Sequence, residues 1–127
     1  MVDLNDLLNA IIHSNIWSTP PVSEQPEITL VRWRVVEVYT LELQVERHFI
    51  GYNVEDREGR VSSAIQEFNP TISRGITRSG RVYHLEGDPG RDPDGEYVWQ
   101  NWARINQFTD EKDVTVEFRQ SMPSRQP

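Results

Sequence analysis

The groups with the widest chemical reach in this 127-residue chain are three histidines, His13, His48 and His84, and three arginines around a Ser-Gly turn, Arg74, Arg78 and Arg81, with Tyr83 beside them. Imidazole serves proton transfer or metal ligation, and guanidinium grips phosphate or carboxylate through paired N–H donors. No two histidines stand at H-x-H, H-x-x-x-H or H-E-x-x-H spacing. A metal would need His48, His84 and a carboxylate gathered from separate strands. Together with Arg74, Arg78 and Arg81, such a gathering would suit a small hydrolase or nuclease. The plainer role is that of strand histidines at or near the surface, and the missing ligand spacing favours it. No metal or other cofactor is expected.

The remaining catalytic signatures are weak. Glu42 and Glu46 share a strand face, and Glu86 and Asp88 flank Gly87, but pairs of this kind arise by chance in a chain with 20 acidic residues. Ser62-Ser63 stands in a strand-like run without a G-x-S-x-G elbow. Gly87-Asp88-Pro89-Gly90 lacks the Gly content and following Lys-Ser/Thr of a phosphate cradle. Cysteine is absent, which removes disulfides, thiolate nucleophiles and Cys-ligated metals. No catalytic residue is therefore assigned. The residues chosen as a binding set are Arg74, Arg78, Arg81, Tyr83, His84, Trp99 and Trp102. Arginines at a loop tip can hold a phosphate or a partner's carboxylates, and Trp is enriched at binding hot spots. Against this, the arginines can pair with Asp56, Glu58 or Glu86, and the tryptophans can fill a core.

Charge narrows the partner. The net charge is −7, and twelve of the thirteen basic residues are Arg. Residues 59–85 carry four Arg against one Glu, between two acidic flanks. Net acidity repels a nucleic-acid backbone at long range, so direct nucleic-acid binding through residues 74–84 is the lesser expectation. A protein partner with a basic surface is the greater one. No apolar run approaches the ~18–20 residues that span a bilayer. No secretory leader is visible, and a cytoplasmic location is expected.

These groups must be positioned by a sheet. Residues 2–13 place Leu4, Leu7, Leu8, Ile11 and Ile12 at helical spacing. That predicts a short N-terminal helix (1–15), a candidate contact for a partner or a homo-oligomer, followed by a Pro-rich linker (16–27). From Ile28 to Val54 the rhythm is two. It predicts strands over 29–39 and 44–54, with a turn at 40–43. The apolar face would hold Val31, Trp33, Val35, Tyr39, Leu41, Leu43, Val45 and Phe49. Arg32, Arg34, Thr40, Glu42, Gln44, Glu46 and His48 would face water. A third strand is predicted over 60–68, then a hairpin around Ser79-Gly80. A helix is predicted over 96–108, a polar turn over 109–113, and a last strand over 114–118, where apolar residues alternate. Residues 119–127 read as a flexible tail. The expected fold is α+β: one mainly antiparallel sheet of five to six strands, the aromatic-rich helix packed on it, and a single domain over 28–118.

The pattern Gly59-Arg60-Val61-Ser62-Ser63-Ala64-Ile65, Thr77-Arg78-Ser79-Gly80-Arg81-Val82-Tyr83, Gly87-Asp88-Pro89-Gly90, then Trp99 and Trp102, resembles a set of small bacterial proteins from chromosomes, plasmids and prophages. The resemblance covers about residues 30–117. That set has no established activity, so it implies no catalytic residue, cofactor or substrate. The expectation is a small acidic, non-enzymatic interaction module. One form of it is a mobile-element inhibitor that occupies the basic surface of a nucleic-acid-handling complex, as anti-CRISPR and other anti-defence proteins do.

Overall fold

The computed structural model describes residues 21–123. The expected N-terminal helix and the first five residues of the linker lie outside them. Seven strands run β1 (Glu27–Tyr39), β2 (Val45–Asn53), β3 (Glu58–Val61), β4 (Ile65–Asn69), β5 (Arg74–Thr77), β6 (Val82–Leu85) and β7 (Thr109–Asp113). Helix α1 (Pro93–Ile105) precedes β7, and α2 (Thr115–Ser121) follows it. The sheet order is β3-β2-β1-β6-β5-β4. β2 pairs with β1 along one edge. On its other edge β1 meets β6 in parallel through Glu27–Leu30, then β7 antiparallel through Val36–Tyr39. The fold is α+β with a mixed, mostly antiparallel sheet.

A bulge in β1 decides which side chains share a face. Arg32 adopts φ +47°, and the register with β2 slips between Val31 and Arg34. One extra residue switches the parity of alternation. Ile28 and Leu30 before the bulge therefore join Trp33 and Val35 after it in one core, with Phe49, Tyr83 and Leu85. The sheet coils so that Phe68 of β4 meets Phe49 of β2, ring centroids 6.1 Å apart. Val114 and Phe118 of the α2 region close this core. On the opposite face Val36, Val38, Ile50 and Val61 pack under Val98 and Trp99 of α1.

Both faces of β1 are therefore covered, which corrects the expectation of one oily and one wet side. Arg34 and His48, placed on the wet side by rhythm, are buried, while Tyr39, Leu41, Leu43 and Val45, placed on the oily side, are exposed. The run 60–68 breaks at Ser62–Ala64 into β3 and β4, which occupy opposite ends of the sheet path. The stretch 109–113 is an edge strand rather than a turn, and 115–121 is a helix rather than a strand. Phe118 and Met122 stand one helical turn apart and both reach the core.

Three contacts fix α1 on the sheet. Asp92 caps it, its Oδ2 accepting from the Gly95 N–H at 2.9 Å, while its Oδ1 receives Arg32 Nε at 2.9 Å. Arg34 reaches Glu96 through two N–H donors, at 2.6 and 2.7 Å. The first turn of α1 lies directly on the backbone of β3, because Gly59 has no side chain to hold it off. None of the described helices is long and apolar enough to cross a membrane.

Candidate functional site

The end of the β1–β2 hairpin carries the most unusual surface. Thr40 to Gln44 close the turn, with Leu43 N–H donating to the Thr40 carbonyl at 2.9 Å. No Gly, Pro or Asn occupies it. Leu43 takes φ +60° and is 77% exposed, and Leu41 is 58% exposed. A bulky side chain in the left-handed region costs about 1 kcal/mol or more, and exposing it brings no burial in return. Tyr39 and Val45 at the strand ends are exposed as well. Glu42 lies between the two leucines and makes no ion pair among the described residues, and neither does Asp110 on the neighbouring β7.

Beside this tip opens a recess of about 320 Å³, lined among others by Leu41, Glu46, His48, Arg78, Trp102 and Phe108. Its polar wall is a chain of contacts. Arg78 Nη2 donates to Glu46 Oε2 at 2.6 Å, and Glu46 Oε1 stands 3.1 Å from His48 Nε2. His48 Nδ1 stands 2.7 Å from the Ser62 carbonyl oxygen. Both ring nitrogens thus face acceptor oxygens of the fold. The ring is buried among Trp99 and Phe108, at 5.9 and 5.4 Å between centroids. The His48 hydrogen bond, opposed by partial burial and reinforced by Arg78, holds the Glu46 carboxyl down at about 2.

Of the binding set chosen from sequence, the fold brings Arg78 and Trp102 to this recess and places the others elsewhere. Arg78 is exposed and tied to Glu46. His84 belongs to another group, its Nε2 at 2.8 Å from Glu27 and its strand partner being Arg74. Arg81 and Tyr83 are buried, and Arg81 Nε donates to the Gln25 carbonyl at 2.8 Å. Trp99 is core, its Nε1 donating to Glu111 at 2.7 Å, whereas half-buried Trp102 lines the recess. His48 and His84 therefore have no partner in common, and no cluster of three metal-ligating side chains occurs among the described residues. The leucines of the tip were missed. A turn forced onto 40–43 without Gly or Pro was the available signal, because turn residues stand at the surface.

Both nitrogens of His48 are occupied within the fold, one by Glu46 and one by the Ser62 carbonyl. Ser62 Oγ donates to the Ser63 carbonyl at 2.7 Å and accepts from the Phe49 N–H at 2.9 Å. Architecture and site together define an α+β domain presenting an apolar hairpin tip with an acidic border. Comparison with protein families, with curated proteins and with solved structures returned no match.

The depressed Glu46 carboxyl gives a pH prediction. A group held below its ordinary 4.5 contributes stability that is fully present above 4.5 and is lost as pH falls toward 2. Glu46→Gln should cost about 1–3 kcal/mol at pH 7. Urea titrations should show the gap to the unaltered protein closing between pH 4.5 and 2. A gap independent of pH would contradict the charge-based reading.

Proposed function

We propose that this protein is a non-enzymatic interaction module that engages another protein through the β1–β2 hairpin tip and the recess beside it. The observation that carries this reading is Leu43, a bulky apolar residue kept exposed in a left-handed turn, with Leu41, Tyr39 and Val45 exposed around it. A strained, solvent-facing apolar group is costly to the fold, and such features concentrate where binding uses them. The partner chemistry follows from the border. Glu42 and Asp110 ask for an apolar depression with Arg or Lys at its rim. A net charge of −7 acts in the same sense at long range. A component of a nucleic-acid-handling complex has a basic surface of this kind, and occupying it is the inhibitory role we propose.

The test uses the full chain as bait in extracts of its native host. The unaltered protein should retain a specific partner, and Leu41→Asp with Leu43→Asp should lose it while folding normally. Equal retention by both forms would overturn the assignment. Raising salt should slow association more than it speeds release. A companion variant separates function from folding. Leu43→Gly should raise stability by about 0.5–1 kcal/mol, because glycine occupies the left-handed region without strain, yet weaken partner binding. Thermal melting beside the same retention assay reads both.

A further inference from the structure

A second polar cluster lies away from the hairpin tip. Gly51 and Arg60 are directly paired across β2 and β3, and Arg60 Nε donates to the Tyr83 hydroxyl of β6 at 3.2 Å. Arg81, two residues before Tyr83, is buried close enough to Arg60 that the two cations oppose each other. Burial first and Arg60 second push the Arg81 guanidinium down, with Tyr83 and Asp56 acting the other way. Three buried side-chain atoms among the described residues have no hydrogen-bond partner, and two of them belong here. One is Arg60 Nη1; the other is Oε1 of Gln25, the residue whose carbonyl Arg81 holds. Arg60 is only 6% exposed. Equally buried Arg34 and exposed Arg78 each meet a carboxylate at 2.6 Å, whereas Arg60 meets none among the described residues. Asp56 and Glu58 are the nearby acids. The Glu58 carboxyl is pushed up by burial and then by Asp56, against the pull of Arg60.

A buried guanidinium with an unmet donor, beside a second guanidinium, is a large electrostatic deficit. A small oxyanion corrects it. Its charged oxygen accepts from Arg60 Nη1, its charge offsets the repulsion with Arg81, and a remaining O–H can donate to Gln25 Oε1. We propose that Arg60, Arg81, Tyr83 and Gln25 form a binding site for a small, partly protonated oxyanion of the phosphate type. This site is separate from the hairpin tip and does not depend on the tip's role.

The decisive experiment uses the unaltered chain. Inorganic phosphate is titrated at constant ionic strength against chloride, with acetate as the carboxylate arm, while the Arg side-chain N–H resonances are followed by NMR. The expected result is a saturable shift of the Arg60 and Arg81 Nε–H signals with phosphate, none at Arg47 or Arg78, and a rising melting temperature. A response to acetate equal to that for phosphate would overturn the phosphate class, and no saturable shift with either would overturn the site. Arg60→Met should weaken phosphate about ten-fold or more. Tyr83→Phe, which keeps the ring in the core, supplies the same comparison if the Arg60 variant does not fold. Unchanged affinity in the folded variant would overturn the assignment.

Discussion

Arg34→Met is expected to destabilise the protein by about 3–5 kcal/mol, which lowers the melting temperature by roughly 10–20 °C in a domain of this size. Arg34 is 3% exposed and stands where three elements meet. Its Nε and Nη2 grip Glu96 of α1, its Nη1 reaches Asp113 of β7 at 3.2 Å, and Glu111 stands 3.8 Å away. Burial disfavours the guanidinium charge, yet Glu96, Asp113 and Glu111 together raise its affinity for the proton. Methionine keeps the bulk of the side chain and removes the charge, leaving three carboxylates crowded around an apolar group. The loss should shrink in acid. Asp113, despite its burial, is held below the ordinary carboxylate range by hydrogen bonds from Thr115 and by Arg34. The stability that Arg34 draws from it is present at neutral pH and fades as pH falls through the lowered value. Urea titrations at pH 7 and pH 3 should show a smaller Arg34→Met deficit in acid, and Glu96→Gln should recover part of it at pH 7. A loss under 1 kcal/mol at pH 7 would mean that the three acids are solvated independently of Arg34.

The same residue shows where sequence reading stops. Alternation identified β1 and β2, the turn between them and the hairpin at Gly80, because pleat and turn chemistry are local. It could not tell a buried Arg34 from a solvated one, since the acids that justify burial lie 62 to 79 residues further along. Nor could it foresee that Arg32 would bulge and change parity. The five residues from Val114 to Phe118 alternate and so resemble a strand, yet Phe118 and Met122 also fit a helical turn, and only the space over Phe49 and Phe68 selects the helix. The strand at Thr109–Asp113 is polar throughout and exists because β1 offers an open edge there. Local spacing grouped Arg74, Arg78 and Arg81 on one hairpin, yet Arg74 stands opposite His84 at its far end, while Arg78 turns to Glu46 and Arg81 to the Gln25 carbonyl. The convergence of Arg60 with Arg81 and Tyr83 depends on the Arg60 side chain of β3 reaching Tyr83 of β6 past β2 and β1, which no window of sequence contains.

Gly59→Ala is the second large effect, with an expected cost of about 3 kcal/mol from overpacking against atoms that cannot rotate away. A Cβ at Gly59 would stand 2.2 Å from the Asp94 carbonyl carbon and oxygen and 2.5 Å from the Gly95 nitrogen, all backbone of the first turn of α1. Relief requires the helix to lift. Lifting it stretches Arg34–Glu96 and Arg32–Asp92 together and withdraws Trp99 from beside His48. The damage should therefore be visible at a distance from the substitution, as a changed Trp99 emission and a weakened near-ultraviolet circular dichroism, alongside the lower melting temperature. Gly90→Ala is the control. Its Cβ would meet nothing nearer than Arg32 at 3.7 Å, an ordinary contact, so its stability should stay within about 0.5 kcal/mol of the unaltered protein. If Gly59→Ala proved as mild as Gly90→Ala, the helix would have to rest on side chains rather than on the β3 backbone. The two arginine clamps would then hold α1 at a distance it can vary.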